Sequence, residues 1–457
     1  MTVKAPSAAA RAFRGTLVHF PTRVAGLDFE AAAQVIADGL LIVRDGHVVA
    51  AGPAAELIPT LAPATEIVDL SGAWLTPGFI DTHVHSAQLD VIASSGEQLL
   101  TWLERYTFPA ERRFEDPEHA ADAAAFFLDE LLRNGTTTAV VFPTVHKIAV
   151  DALFEAARAR RMSLVAGKIL MDRHCPPFLR DTPKDGERDS RELIERWHGR
   201  DRLYYAVTPR FAPTSSDEQL ASAGRLCDDY PGLFVQSHVA ENQAEVRWVA
   251  ELFPWARSYL DVYDHFGLLR PRAVYAHCIH LDAADRARFA AAGAVMSFCP
   301  SSNLFLGSGL FDRDAAEQAG AFITFGSDVA GGTSLSMLRT LHEGYKVLQM
   351  RGQTLSAFEA LYRATRGAAH ALALDDHLGS FTPGCAADFV VLDPKATELM
   401  ARRFDRAATF AERLFALLIL ADDRAVAATY VLGELAHRRA PAGQATTTAA
   451  AAVPSGR

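Results

Sequence analysis

The chain changes rhythm three times. Between residues 12 and 75, short apolar runs such as GTLVHF, GLLIVRDGHVVAAG and EIVDL are separated by turn residues, Asp45-Gly46 among them. That is the pattern of a small antiparallel sheet. From about residue 76 the runs become almost wholly apolar and alternate with longer helix-like segments. They read GFIDTHVH, TTTAVVF (136–142), SLVAGKIL (163–170), LYYAVTPRF (203–211), LFVQSHVAE (233–241), AVYAHCIH (273–280), AVMSFCPSSN (294–303) and FITFGSDVAGG (322–332). Near-continuous apolarity marks strands buried on both faces, as in a parallel sheet. Helices are predicted between them, for example over 117–135 with Gly135 at the C-terminal cap, and over 151–161. ADFVVLDP (387–394) and VAATYVLGELAH (426–437) then return to short β-type runs.

Eight strand–helix repeats between two β-rich ends predict an α/β fold. The middle closes into a barrel, and both chain ends together build one small β-domain. The expected division is 1–75 for the first part of the β-domain, 76–379 for the barrel and 380–437 for the second β part. The Ala/Thr/Pro-rich tail, 438–457, is expected to be disordered.

Composition narrows the function. The 457 residues are 49% hydrophobic and 22% charged, ordinary values for a folded enzyme. A formal charge of −10 argues against binding to a phosphate backbone, which needs clustered cations. Five cysteines without a CxxC pair suit a reducing compartment, with the cytoplasm as the default. The longest apolar stretch, near 414–421, is too short to span a bilayer. The first 27 residues lack acids and carry three Arg and one Lys, a weak mimic of a transit peptide that is read here as an ordinary frayed start.

The chemistry starts at GFIDTHVH. Strand side chains alternate faces, so His83 and His85 point the same way and can share one ion. Alone, such a pair is equally satisfied by backbone groups. His238, His277 and Asp328 each end a further strand-like run, however, and Glu241 follows His238 by three residues. A barrel brings such strand ends together, and imidazoles with a carboxylate are ligands that zinc accepts while leaving a position for water. His119, His146, His174, His265, His342 and His370 do not sit at strand exits and are read as ordinary hydrogen-bonded residues. A Walker loop and the HxE with PCxxC pattern of cytidine-type deaminases are both missing from the sequence.

GFIDTHVH, SHVAE, YAH and FGSD resemble, in order, the signature strand ends of the amidohydrolase superfamily, over residues 10 to 437. Within it, LLTWLERYTFPAERRF (99–114), RNGTTTA (133–139), TPRF (208–211), CPSSNL (299–304) and GSDVAGG (326–332) look like the guanine deaminase family. The resemblance implies a distorted TIM-like (β/α)8 barrel with a β-sandwich from both chain ends. It implies one Zn2+ per subunit on His83, His85, His238 and Asp328. Glu241 matches the family's proton-shuttling acid, Asp328 a second proton carrier, and His277 the histidine that hydrogen-bonds the attacking water or the tetrahedral centre. His85, Gln88, Arg210, Phe211, His238 and His277 match positions that contact the purine.

Arg210 can offer a planar fork to a carbonyl, Gln88 a donor and an acceptor, and Phe211 a stacking face. Leu99, Trp102 and Leu103 are read as loop packing that covers the pocket rather than as ligand contacts. Some superfamily members bridge two metals with a carboxylated lysine on the fourth strand. Lys168 falls on the third by this count, so a single metal is expected. The implied activity is hydrolysis of guanine to xanthine and ammonia by a cytoplasmic homodimer, with neither nucleic acid nor membrane as partner. The alternatives are a deaminase of 8-oxoguanine, a pterin or a triazine, and a non-catalytic barrel used for binding or assembly.

Overall fold

The computed structural model describes residues 10–440 apart from 25, 27, 96 and 97. The expectation for the terminal tail therefore lies outside the described residues from 441 onward. The N-terminal strands are β1 (Arg11–His19), β2 (Gln34–Arg44), β3 (His47–Pro53) and β4 (Glu66–Pro77). β2 and β3 form the predicted hairpin, with Asp45 and Gly46 both at positive φ (51° and 79°), as a tight twisted turn requires. The sheet is not purely antiparallel as expected, because β1 and β4 run parallel. Residues 54–65 carry the chain back along the sheet, so β4 starts at the same end as β1.

The barrel strands are β5 (Phe79–His85), β6 (Thr136–Phe142), β7 (Ser163–Ala166), β8 (Ile169–Leu170), β9 (Leu203–Pro209), β10 (Phe234–Val239), β11 (Ala273–His277), β12 (Val295–Phe298) and β13 (Phe322–Phe325). Apart from the short β8, they pair in the order β5-β6-β7-β9-β10-β11-β12-β13, all parallel. All eight predicted runs are strands, but SLVAGKIL is broken at Gly167-Lys168 into β7 and β8. There the backbone passes so close to β9 that a Cβ on residue 167 would lie 1.8 Å from the Ala206 carbonyl oxygen. The ring nearly closes between β13 and β5. The link is made just beyond β13, where Asp328 N–H donates to His83 O (2.8 Å) and His85 N–H to Val329 O (3.0 Å).

The two ends of the barrel differ in chemistry. Ile80, Val140, Val165, Ala206, Phe234, Val274 and Val295 come from seven successive strands and pack with Ala368, Ala369 and Leu372 into an apolar plug. The opposite ends, where the strands exit, carry the histidines and acids. Helix Pro117–Arg133 begins with Asp116 capping Glu118 N–H and ends ahead of Gly135 at φ +81°, close to the predicted span. Helix Lys147–Ala159 starts a turn earlier than predicted because Ala149 and Val150 already face the core.

The C-terminal strands β14 (Phe389–Leu392), β15 (Val426–Val431) and β16 (Glu434–Arg438) extend the N-terminal sheet in the order β16-β15-β14-β4-β1-β2-β3. It is hydrogen-bonded as one sheet yet rolled over on itself. Phe13 on β1 and Tyr430 on β15 are three strands apart, with ring centroids 5.1 Å apart. A flat sheet would hold them roughly 14 Å apart, at about 4.8 Å per strand. Both chain ends thus enclose a single apolar face, with Phe389 stacked on Tyr430 at 4.4 Å.

Candidate active site

β5 delivers His83 and His85 from alternate positions into the strand-exit end of the barrel. Asp81, two residues earlier, shares their parity and ties the ring together. Its buried carboxylate accepts from His83 N–H (3.1 Å), from Ser327 N–H (3.0 Å) and from the Ser327 hydroxyl. The strand exits bearing the other side chains are turned sharply, with Ala240, His277 and Asp328 at φ +49°, +71° and +51°. Left-handed backbone at non-glycine residues costs energy and gathers where function over-determines geometry.

These turns converge. His83, His85, His238 and Asp328 are all buried and place one ligand atom each within 4.8 Å of the others. His83 Nε2 and His85 Nε2 lie 3.1 and 3.2 Å from Asp328 Oδ1, and His238 Nε2 is 3.3 Å from His85 Nε2. His238 Nδ1–H donates to the Arg210 carbonyl (2.6 Å), which turns Nε2 toward the group, as the outer partner of a metal-bound imidazole does.

Burial keeps the imidazoles neutral. It lowers His83 to about 4 and takes His238 well below its ordinary value, helped there by the neighbouring rings; His85 is lowered too. Burial opposes ionisation of Asp328, but the surrounding imidazoles outweigh it and hold the carboxyl well below its usual range. The buried His83 Nε2 makes no hydrogen bond. Three imidazole nitrogens and one carboxylate crowded together form a set that a tetrahedral divalent ion satisfies. These residues constitute a metal-binding group.

Glu241 and His277 stand beside it. His277 Nε2 is 3.3 Å from Glu241 Oε2 and 3.6 Å from Asp328 Oδ2, while its Nδ1–H donates to Asn303 Oδ1 (2.8 Å). Burial would depress His277, yet the two carboxylates and Asn303 raise it above the ordinary histidine value. Burial pushes Glu241 up to about 7, with Glu245 adding to the effect and His277 opposing it. The carboxylate that serves the neighbouring helix start is Glu245, not Glu241. That side chain accepts from the N–H groups of Glu241 (2.9 Å) and Asn242 (3.1 Å) at the start of helix Gln243–Leu252. Glu241 is left free to face the cavity, held by Ser308 Oγ–H at 2.9 Å.

A cavity opens here beside the metal-binding group. Gln88, Arg210 and Phe211 line it together with His85, His238, Glu241, His277 and Asp328. Leu99, Trp102, Leu103 and Leu306 line it as well, so the segment read as covering loop packing is in direct contact with the cavity. Its backbone runs through helix Leu99–Trp102, a π-turn Leu103–Thr107 and helix Phe108–Arg112. The Trp102 indole N–H and the Ser302 hydroxyl are buried without a hydrogen-bond partner among the described residues. Polar atoms of this kind on cavity-lining residues are candidates for contact with a bound molecule.

Lys168 pairs with Asp181. The six histidines set aside on sequence lie outside the ligand group. Sequence reading gave no role to Glu111, Asn303, Ser308 or Asp81. Asp81 was accessible by the same alternation that picked out its neighbours, and Asn303 and Glu111 lay inside quoted motifs. Only their partners across the barrel reveal what they do.

The amidohydrolase family model matches residues 74–436. Guanine deaminase of Escherichia coli (strain K12) is 47% identical over 412 residues, which is 90% of this chain and 94% of that protein. The solved structure of E. coli guanine deaminase superposes with a TM-score of 0.92 at 44% identity, covering 95% of this chain and 100% of that one. Guanine deaminase from C. acetobutylicum, solved with guanine bound in its active site, superposes at 0.84 with 27% identity, covering 93% and 99%.

Proposed function

The chain belongs to the amidohydrolase family, and from that premise we propose that it hydrolyses guanine to xanthine and ammonia with a single zinc ion. The observation that carries the reading is the convergence, in one cavity, of the His83/His85/His238/Asp328 group, the acid–imidazole pair Glu241 and His277, and the Arg210 cation. Zinc held by those four ligands would lower the pKa of a water from 15.7 towards about 7.

The chain's own residues do the rest. Arg210 and Phe211 seat the base, the guanidinium donating to the purine carbonyl and the ring packing on its face. Asp328 takes the proton from the attacking water. Glu241, whose carboxyl is pushed up by burial, protonates the ring nitrogen next to the amine-bearing carbon, which becomes electrophilic. The water oxygen bonds to that carbon, and His277 donates to the oxygen as charge develops. The proton left on the added oxygen then passes through Glu241 to the amine, the C–N bond breaks, ammonia leaves, the carbonyl of xanthine forms, and Asp328 returns the water's other proton to Glu241. One water is consumed, and the atoms balance.

The test is a substrate panel of guanine, 8-oxoguanine, adenine, cytosine and isocytosine, followed by ammonia release with zinc-replete protein. Guanine is expected to have the highest kcat/KM, and a higher value for another base would replace guanine in this reading. The reading extends to a homodimer in the cytoplasm. The five cysteines are free, as a reducing compartment requires, and sedimentation of the purified protein decides the assembly. No helix among the described residues is long and apolar enough to cross a membrane.

The orphaned Trp102 N–H supplies a further prediction. Trp102→Phe keeps most of the apolar cover but removes the donor. The KM for guanine is expected to rise about 5- to 10-fold, the worth of one hydrogen bond of roughly 1 kcal/mol, with kcat and melting temperature nearly unchanged. An unchanged KM would mean that the indole serves packing alone.

A further inference from the structure

Arg210 is almost wholly buried, at 2% exposure, and a buried cation needs a partner. Glu111 provides it from helix Phe108–Arg112, 99 residues away in sequence. Its fully buried carboxylate accepts from Arg210 Nη1 at 2.9 Å (Oε1) and 2.8 Å (Oε2). The same Oε1 accepts from Gln88 Nε2 at 3.0 Å. Gln88 is further committed, with Nε2 3.1 Å from His85 Nδ1 and Oε1 3.4 Å from Ala330 N–H. Phe108, on the same helical turn as Glu111, lies against the guanidinium with its centroid 5.3 Å from Cζ.

The consequence concerns what Arg210 still has to offer. With Nη1 taken by Glu111, Nε–H and Nη2–H have no hydrogen-bond partner among the described residues, on a side chain that lines the cavity. Those two groups form the side-on fork of a guanidinium, which fits two acceptors side by side. The carbonyl oxygen and adjacent ring nitrogen of a 6-oxopurine are such a pair, whereas adenine presents a donor beside an acceptor.

Resting on the guanine reading above, we propose that Glu111 is a positioning residue for specificity: it occupies one end of Arg210, so that the free fork meets only bases with a carbonyl beside a ring acceptor. Without Glu111 the guanidinium is free to rotate toward the carboxylates of the metal site, and the fork is lost.

The experiment compares wild type with Glu111→Gln, which keeps shape and loses charge, and with Glu111→Asp, which keeps charge and retracts it. Hypoxanthine serves as the binding probe because it has the carbonyl and ring nitrogen but no amine to lose. In Glu111→Gln, the Kd for hypoxanthine and the KM for guanine are expected to rise about tenfold or more, as for a site whose polar contact to ligand is disturbed. The kcat for guanine should stay within about threefold, and bound zinc should be unchanged. Glu111→Asp should rescue part of the affinity. In an Arg210→Met background, Glu111→Gln should change hypoxanthine affinity by less than about twofold, because the two residues act as one unit.

Unchanged hypoxanthine affinity in Glu111→Gln, or an equal loss in the Arg210→Met background, would overturn the proposal. If Glu111→Gln does not fold, an unaltered KM and Kd in Glu111→Asp would do so. Wild-type protein that binds hypoxanthine but releases no ammonia from guanine would sink the guanine reading, while the Glu111 comparison would still be decided by hypoxanthine binding.

Discussion

Replacing His238 with alanine is expected to reduce ammonia release from guanine to the background rate. Chelation of the wild-type protein should do the same, reversed by one equivalent of zinc in the wild type and not in the variant. His238 Nε2 stands 3.3 Å from His85 Nε2, one of four donors facing a common point. Changes in outer partners of metal ligands already cost roughly 10–100-fold in affinity or activity, and removing a ligand should exceed that. Metal content and melting temperature give independent readings, since an ion bound only by the folded state stabilises it. Full turnover in the chelated protein would remove the metal from the proposed chemistry.

The second large effect is at Glu241. Glu241→Gln should retain zinc, because the side chain is outside the ligand group, yet turn over about 10²–10⁴-fold more slowly, the usual worth of a positioned acid–base. The same substitution should stabilise the metal-free protein at alkaline pH. Burial raises the Glu241 carboxyl from 4.5 to about 7, so between those values the folded state holds a proton that the unfolded state has released. Stability therefore falls as pH rises from about 4.5 through about 7, and the deficit is complete above that.

Glutamine carries no such deficit. Its advantage in chemical denaturation should be roughly 1–3 kcal/mol at pH 8 and vanish near pH 4. Identical curves for the two proteins at both pH values would mean that another carboxyl carries the shift. A catalytic acid that weakens the fold it sits in is the usual trade between activity and stability.

Much of this architecture was readable because it depends on local rules. Runs apolar on both faces, separated by helices, are the signature of buried parallel strands, and all eight became barrel strands. The break at Gly167 was not readable, because it depends on how closely β9 passes. The mixed direction of the N-terminal sheet was not readable either, since adjacency of β1 and β4 follows from the path of residues 54–65 rather than from any pattern within the strands.

Period-two alternation, acting over neighbouring residues, was enough to aim His83 and His85 at one point, and the strand-end positions of His238, His277 and Asp328 followed from the repeat. Alternation cannot say which charges meet across the barrel. Glu111 looks like one more acid in a helical turn until Arg210 and Gln88 close on it, and it is Glu245, not Glu241, that completes the capping box with the N-cap Asn242. Chain geometry over a few residues settles which way a side chain points. Which partner it finds depends on closure of the ring, where burial removes water as an alternative partner and leaves each charge to be matched by whatever side chain the fold brings beside it.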